Sequence, residues 1–296
     1  GLVPVEIDSS LPTEVRRDIL GAASLSYFAS RVVFCEGEDR SIDKTIYSAW
    51  FKGRDTVVLA VGSCESVRHS VKALNENRLI ENLEAIGLID RDFSPDTVLS
   101  RLGAGLVVLP VHEVEGLVCL PEIVERLAKH LGKVIPAQDV AAVIRSAITN
   151  DMVHRCALER MKSHFLNITQ DIVLSKPPAW DAGSLRGHAG KLKSDLGSPQ
   201  SPEAILDEEL ETMSSIRDSG TAKEMVQTFP SKQLATAVGA ALGMKTEQLF
   251  ELISSALLVD KDEVLGKLGR DLEAILSDAG LPPRTVTERP FTAAPS

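Results

Sequence analysis

The chain has 296 residues, 44% hydrophobic and 25% charged, enough apolar content to bury the core of one large domain or two ordinary ones. Its formal net charge of −10 argues against a generic nucleic-acid coat protein, so contact with phosphates has to run through metal ions or a local basic surface. The best candidate for a membrane span, "GLVVLPVHEVEGLVCL", is cut by His112, Glu113 and Glu115, and no signal peptide is read, so the expectation is a cytoplasmic protein with no membrane contact. Cys35, Cys64, Cys119 and Cys156 form no CxxC pair and sit mostly among apolar neighbours, which reads as reduced packing cysteines and not a zinc site.

Residues 1–30 read as a lead-in, with an opening at Gly1 that resembles the continuation of something upstream. Four short β-branched runs follow: "RVVFCEG", "TVVLAVG", "EAIGLID" and "GLVVLPV". Continuous Val/Leu/Ile runs imply burial on both faces, and their alternation with helical patterns implies parallel strands joined by crossovers. "SCESVRHSVKAL" is one such helix, with apolar positions at Val67, Val71 and Leu74, and Ser94 before Pro95 reads as the start of another. The predicted architecture is α/β, a four-stranded parallel Rossmann-like layer over 31–135 followed by an all-helical region over 136–280. Two irregular segments interrupt that region: Ser175 to Pro202, rich in Pro, Gly and Ser, and a tail over 281–296 expected to be disordered.

The acidic residues stand at the strand ends. "VVFCEGEDRSIDKTIY" places four carboxylates within eight residues, where an α/β protein usually has its glycine turn. Glu36 ends the first strand, Asp90 the third, with Asp92 two residues on, and "VHEVEG" puts His112, Glu113 and Glu115 just past the fourth. Ligands of open parallel sheets bind at the carboxyl ends of strands, so these acids can converge. Asp43 falls in the first turn of the following helix, where the dipole suits a carboxylate. Oxygen ligation without a Cys or His pair favours Mg²⁺ or Mn²⁺. Read as extended backbone, Glu113 and Glu115 point the same way, and either can serve a second ion. Strand-end acids are also common caps, and a lone DxD is weak, so the weight lies on the combination.

Glu36 with Gly37 after the first strand, and Asp90 with Asp92 after the third, resemble the signature of the Toprim domain. The fuller pattern "FCEGEDRSIDKTIY … GSCESV … GLIDRDF … VHEVEGLVCLPEIV" is similar to the branch found in overcoming-lysogenization-defect nucleases and related anti-phage effectors that work with, or are fused to, an ABC-type ATPase. The resemblance covers Arg31 to roughly Glu125. It implies a Toprim nuclease with two Mg²⁺ or Mn²⁺ ions on Glu36, Asp43, Asp90, Asp92 and Glu115, acting on DNA or RNA, tRNA included. That branch has asparagine where this chain has Gly116, and it also uses a lysine from the helical part. The matching candidate is Lys232, placed one residue after an expected N-cap at Ser231, where the helix dipole disfavours a cation unless a ligand offsets it.

Other chemistries lack their residues. There is no GxSxG or Cys-His motif and no P-loop, so ATPase activity would belong to another domain or chain. Neither Tyr27 nor Tyr47 suits a topoisomerase nucleophile. A haloacid-dehalogenase-like phosphatase places its DxD after the first strand, not the third. The competing class is a non-catalytic Toprim-like docking or sensing module of an ATPase complex, and homo-oligomerisation is left open. For substrate contact the segment from His154 through Lys193 carries seven Lys/Arg against three Asp/Glu, with Trp180 available to stack on a base.

Overall fold

The computed structural model describes residues 29–52, 55–76, 83–94, 99, 102–173, 182–197, 201–258 and 265–280. The four β-branched runs form β1 (Arg31–Cys35), β2 (Thr56–Ala60), β3 (Glu84–Ile89) and β4 (Leu106–Val108). All neighbours pair in parallel in the order β2-β1-β3-β4, with Val33 level with Val58 on one side and Ile86 on the other. Parallel pairing requires crossovers, and α1 (Ile42–Trp50) and α2 (Cys64–Glu76) supply the first two. The two-residue alternation of the strands sorts the core. Val32, Phe34, Ala85 and Ile89 pack with Val67, Val71 and Leu74 of α2, while Val33, Cys35, Ile86 and Leu88 pack with Ile46, Tyr47 and Trp50 of α1.

This strand order reverses direction between β1 and β3. The crossovers leaving the two strands therefore diverge, and a crevice opens outside their carboxyl ends, the usual ligand position in an open parallel sheet. The first and third strands are also the ones that end in Glu36 and Asp90.

A 3₁₀ helix (Val114–Cys119) leads from the sheet into α3 (Pro121–His130), α4 (Ala137–Ala147), α5 (Asn150–Val173), α6 (Ala182–Gly197), α7 (Pro202–Ser219), α8 (Ala222–Thr228), α9 (Ser231–Leu242), α10 (Thr246–Leu258) and α11 (Leu265–Asp278). The expected boundary near residue 135 is not a boundary of the core. Met225, Phe229, Leu234, Leu249 and Ile253 belong to the same buried cluster as Val33 and Trp50, because α10 packs on α1 and α9 on the 3₁₀ helix. The helical region is thereby held over the carboxyl-end side of the α1 face, close enough to contribute to the crevice.

Within the segment expected to be irregular from Ser175 to Pro202, the described residues 182–197 form α6. α6 carries Gly187 and Gly190 in its interior, each at a cost relative to alanine. Residues 1–28, the proposed helix start at Pro95, Trp180 and the tail over 281–296 lie outside the described residues. Among the described residues, no helix is long and apolar enough to cross a membrane.

Candidate metal centre

β1 gives way at Gly37, whose φ of +86° turns the chain. Its N–H donates to the Gly62 carbonyl at 2.8 Å and its carbonyl accepts from the Gly62 N–H at 2.9 Å, which stitches together the turns ending β1 and β2. A side chain at Gly37 would be strained at that φ, and its Cβ would stand 2.6 Å from the Cβ of Ser41. The turn directs Glu36 toward β3, where its Oε1 accepts from the Asp90 N–H at 2.9 Å.

Asp92 sits at φ +45°, a left-handed conformation that aspartate tolerates better than most residues, and its N–H donates to the His112 carbonyl at 3.0 Å. The loops after β3 and β4 are thus joined through the backbone. Asp43 lies in the first turn of α1, whose N-cap Ser41 accepts the Lys44 N–H at 3.2 Å.

The segment after β4 is not extended. β4 stops at Val108, and Val114 to Cys119 winds into the 3₁₀ helix because Leu117, Val118 and Leu120 are all buried, which an alternating edge strand would not allow. Glu113 is the extended residue before this helix and Glu115 lies in its first turn, so the two-residue alternation of a strand does not relate them. Glu113 Oε2 accepts the Ser231 N–H at 2.9 Å and so caps α9. The expected N-cap at Ser231 is corrected accordingly: Pro230 holds the cap position, the capping carboxylate comes from Glu113, and Lys232 is the second helical residue. Gly116 is set by close packing, since a Cβ there would lie 2.8 Å from Ser231 Oγ and 2.8 Å from Val111 Cβ. Gly116→Ala is expected to lower stability by ~1–3 kcal/mol through this overpacking, measured by urea unfolding.

These elements bring Glu36, Asp43, Asp90, Asp92, Glu113, Glu115 and Lys232 within electrostatic reach of one another. Burial, followed by repulsion from Asp43, Glu36, Asp92 and Glu113, raises Asp90 to about 9. Burial together with Asp92 and Asp43 raises Glu36 to about 7, against the stabilising N–H groups of Asp90 and Cys64. Asp43 rises to about 6, chiefly by burial, with Glu115 and Glu113 adding repulsion. Asp92 and Glu115 are raised as well, again first by burial. The exposed Lys232 opposes the rise at Asp43, Asp92 and Glu115.

His112 is not among the ligands expected from the sequence, yet it stands in the one group with metal-ligand spacing among the described residues. Asp92, His112 and Glu113 each place a ligand atom within 4.8 Å of the other two, a distance met by no other group of three among the described residues. The imidazole is 1% exposed, and burial, with Arg160 and Arg91 nearby, lowers it to about 4, so it is neutral at physiological pH. The sequence signal was present, because His112 adjoins Glu113 in "VHEVEG", but a single histidine beside a strand is more often a packing residue.

No family model matches the chain, and no curated protein or solved structure matches it. What the site can do is set by its own geometry. Capping accounts for Glu36 and Glu113, yet it does not account for Asp43, Asp90 and Asp92, whose shared burial opposes ionisation. The raised pKa values of Glu36, Asp43, Asp90, Asp92 and Glu115 would fall together if a divalent cation bound among them. A pH effect on stability follows. Glu36 and Asp90 bind protons more tightly folded than unfolded, so in metal-free protein their ionisation removes stability as pH rises from 6.5 to 9. Below that window, protonation of His112 in the unfolded chain acts in the opposite sense. Thermal melts in chelator should therefore fall between pH 6.5 and 9, and Mn²⁺ should restore most at the alkaline end. A chelator-independent melting profile would contradict this.

The basic stretch is partly consumed by internal pairing. Arg155 meets Asp151 at 3.0 Å, Arg160 meets Glu209 at 2.7 Å and Lys162 meets Glu159 at 2.7 Å, so these three side chains are not surplus charge for a substrate.

Proposed function

We propose that the chain is a divalent-metal-dependent nuclease of Toprim type that hydrolyses phosphodiester bonds in DNA or RNA, tRNA included. The observation carrying this reading is the hydrogen bond between Glu36 and the Asp90 N–H at the β1/β3 reversal point, with Asp43 and Asp92 near enough to raise both carboxyls. Glu36, Asp43, Asp90, Asp92 and Glu115 would hold Mg²⁺ or Mn²⁺, which when bound supplies a lowered water pKa and charge stabilisation on the scissile phosphate. Glu36 is oriented by the N–H groups of Asp90 and Cys64, which hold its carboxylate at the end of β1. Lys232, in the first turn of α9, would neutralise charge on the phosphate. No nucleophilic side chain is required, in keeping with Tyr47 being buried at 1% exposure.

Following the resemblance of its acidic motifs, we place the chain with an ABC-type ATPase, fused upstream or separate, as the effector of an anti-phage defence system. Purified protein, alone and with such an ATPase, is to be incubated with plasmid DNA and with tRNA in Mn²⁺ or Mg²⁺. Cleavage stopped by chelator supports the nuclease. Stable association with the ATPase but no cleavage under any condition would instead identify a docking module.

A further inference from the structure

We propose that Asp92, His112 and Glu113 form a mixed nitrogen–oxygen site for a first-row transition-metal dication, with Asp92 shared between this site and the carboxylates at the ends of β1 and β3. Two separate observations converge on it. The first is geometric: one ligand atom from each of the three side chains lies within 4.8 Å of the others, a spacing that a single ion at its centre can span. The second is that His112 is 1% exposed while neither Nδ1 nor Nε2 has a hydrogen-bond partner. A buried imidazole left this way is costly unless something takes its lone pair, and buried polar side chains are seldom left so.

The surroundings hold the three groups in place. The Asp92 N–H donates to the His112 carbonyl at 3.0 Å, the His112 N–H donates to the Val226 carbonyl at 3.0 Å, and Glu113 is fixed by the Ser231 N–H at 2.9 Å. Phe93 packs edge-on against the imidazole at 4.7 Å between ring centroids, which restricts its rotation. The nearby Arg160 is already paired with Glu209 at 2.7 Å, so its charge is offset. One imidazole with two carboxylates is a poor match for Mg²⁺, which prefers oxygen and retains its water, and a better one for Mn²⁺ and its neighbours in the series.

The assignment rests on the metal-centre reading through Asp92, and the following test separates the two. Mn²⁺ is titrated into the full chain, and its electron spin echo modulation is recorded with natural-abundance and ¹⁵N-histidine protein. Nitrogen coupling that changes on ¹⁵N labelling is expected, with Mn²⁺ bound at least ~10-fold more tightly than by His112→Gln. If His112→Gln does not fold, Asp92→Asn serves in its place, and the coupling should vanish there too. Nitrogen coupling in a protein that cleaves nothing supports the site while removing the nuclease. Cleavage with Mn²⁺ held by oxygen alone, or coupling that persists in His112→Gln, overturns the site while leaving the nuclease.

Discussion

Asp90→Asn is expected to abolish phosphodiester cleavage, by more than ~10²-fold, and at the same time to make the metal-free protein more stable. The two effects have one cause. Asp90 is the most strongly perturbed of the acids for which a value is resolved, at about 9, because it is buried among Asp43, Glu36, Asp92 and Glu113. Asparagine keeps the shape and removes the ionisation, so at pH 8 the folded state no longer bears the cost of a desolvated carboxylate or of the proton that neutralises it. The gain should be on the order of 1–3 kcal/mol in chelator, and the stabilisation that Mn²⁺ gives the wild type should shrink. Initial cleavage rates and melts with and without Mn²⁺ measure both. An Asp90→Asn protein that is destabilised in chelator would show that Asp90 is a structural cap, and one that cleaves normally would show that it is no ligand.

Lys232→Ala should lower kcat by ~10²-fold with little change in KM or Mn²⁺ affinity, the pattern of a group acting mainly in the transition state. Its position explains the pattern. Lys232 is 140 residues beyond Asp92, enters from α9 and holds down the pKa values of Asp43, Asp92 and Glu115, none of which it needs to displace. Removing it should also move the acidic limb of the pH–rate profile to higher pH, because these three acids then protonate more readily. Lys232→Arg, which keeps the charge, should recover part of the rate and return the limb. A Lys232→Ala protein with wild-type kcat and an unmoved profile would mark the residue as a solvated surface lysine.

How far the sequence reaches depends on which interactions are local. The strands were legible because their Val, Leu and Ile runs report burial on both faces, and Glu36 and Asp90 followed because a strand-end residue in a parallel sheet has one place to go. Asp43 was legible as a first-turn residue of the helix after β1, where the dipole suits a carboxylate. The 3₁₀ helix was not, because its conformation is decided by the burial of Leu117, Val118 and Leu120 against a helical region far along the chain. With it went the directions of Glu113 and Glu115. The same distance hid the true cap of α9, since a carboxylate reaching Ser231 from Glu113 leaves no local signature. His112 was overlooked because a ligand is told from a packing histidine by its unmet hydrogen bonds, which only the assembled core reveals.

The most direct measurement of the central claim is cleavage by metal-stripped protein resupplied with Mn²⁺, run beside Glu36→Gln on the same mixture of labelled DNA and RNA, with the ATPase partner present and absent. Glu36 joins β1 to β3 through the Asp90 N–H, so glutamine can keep that hydrogen bond while losing the charge. The expected result is cleavage that returns with Mn²⁺ in the wild type and does not return in Glu36→Gln, although both proteins melt cooperatively. Equal cleavage by the two proteins, or activity undiminished by chelator, would contradict the account.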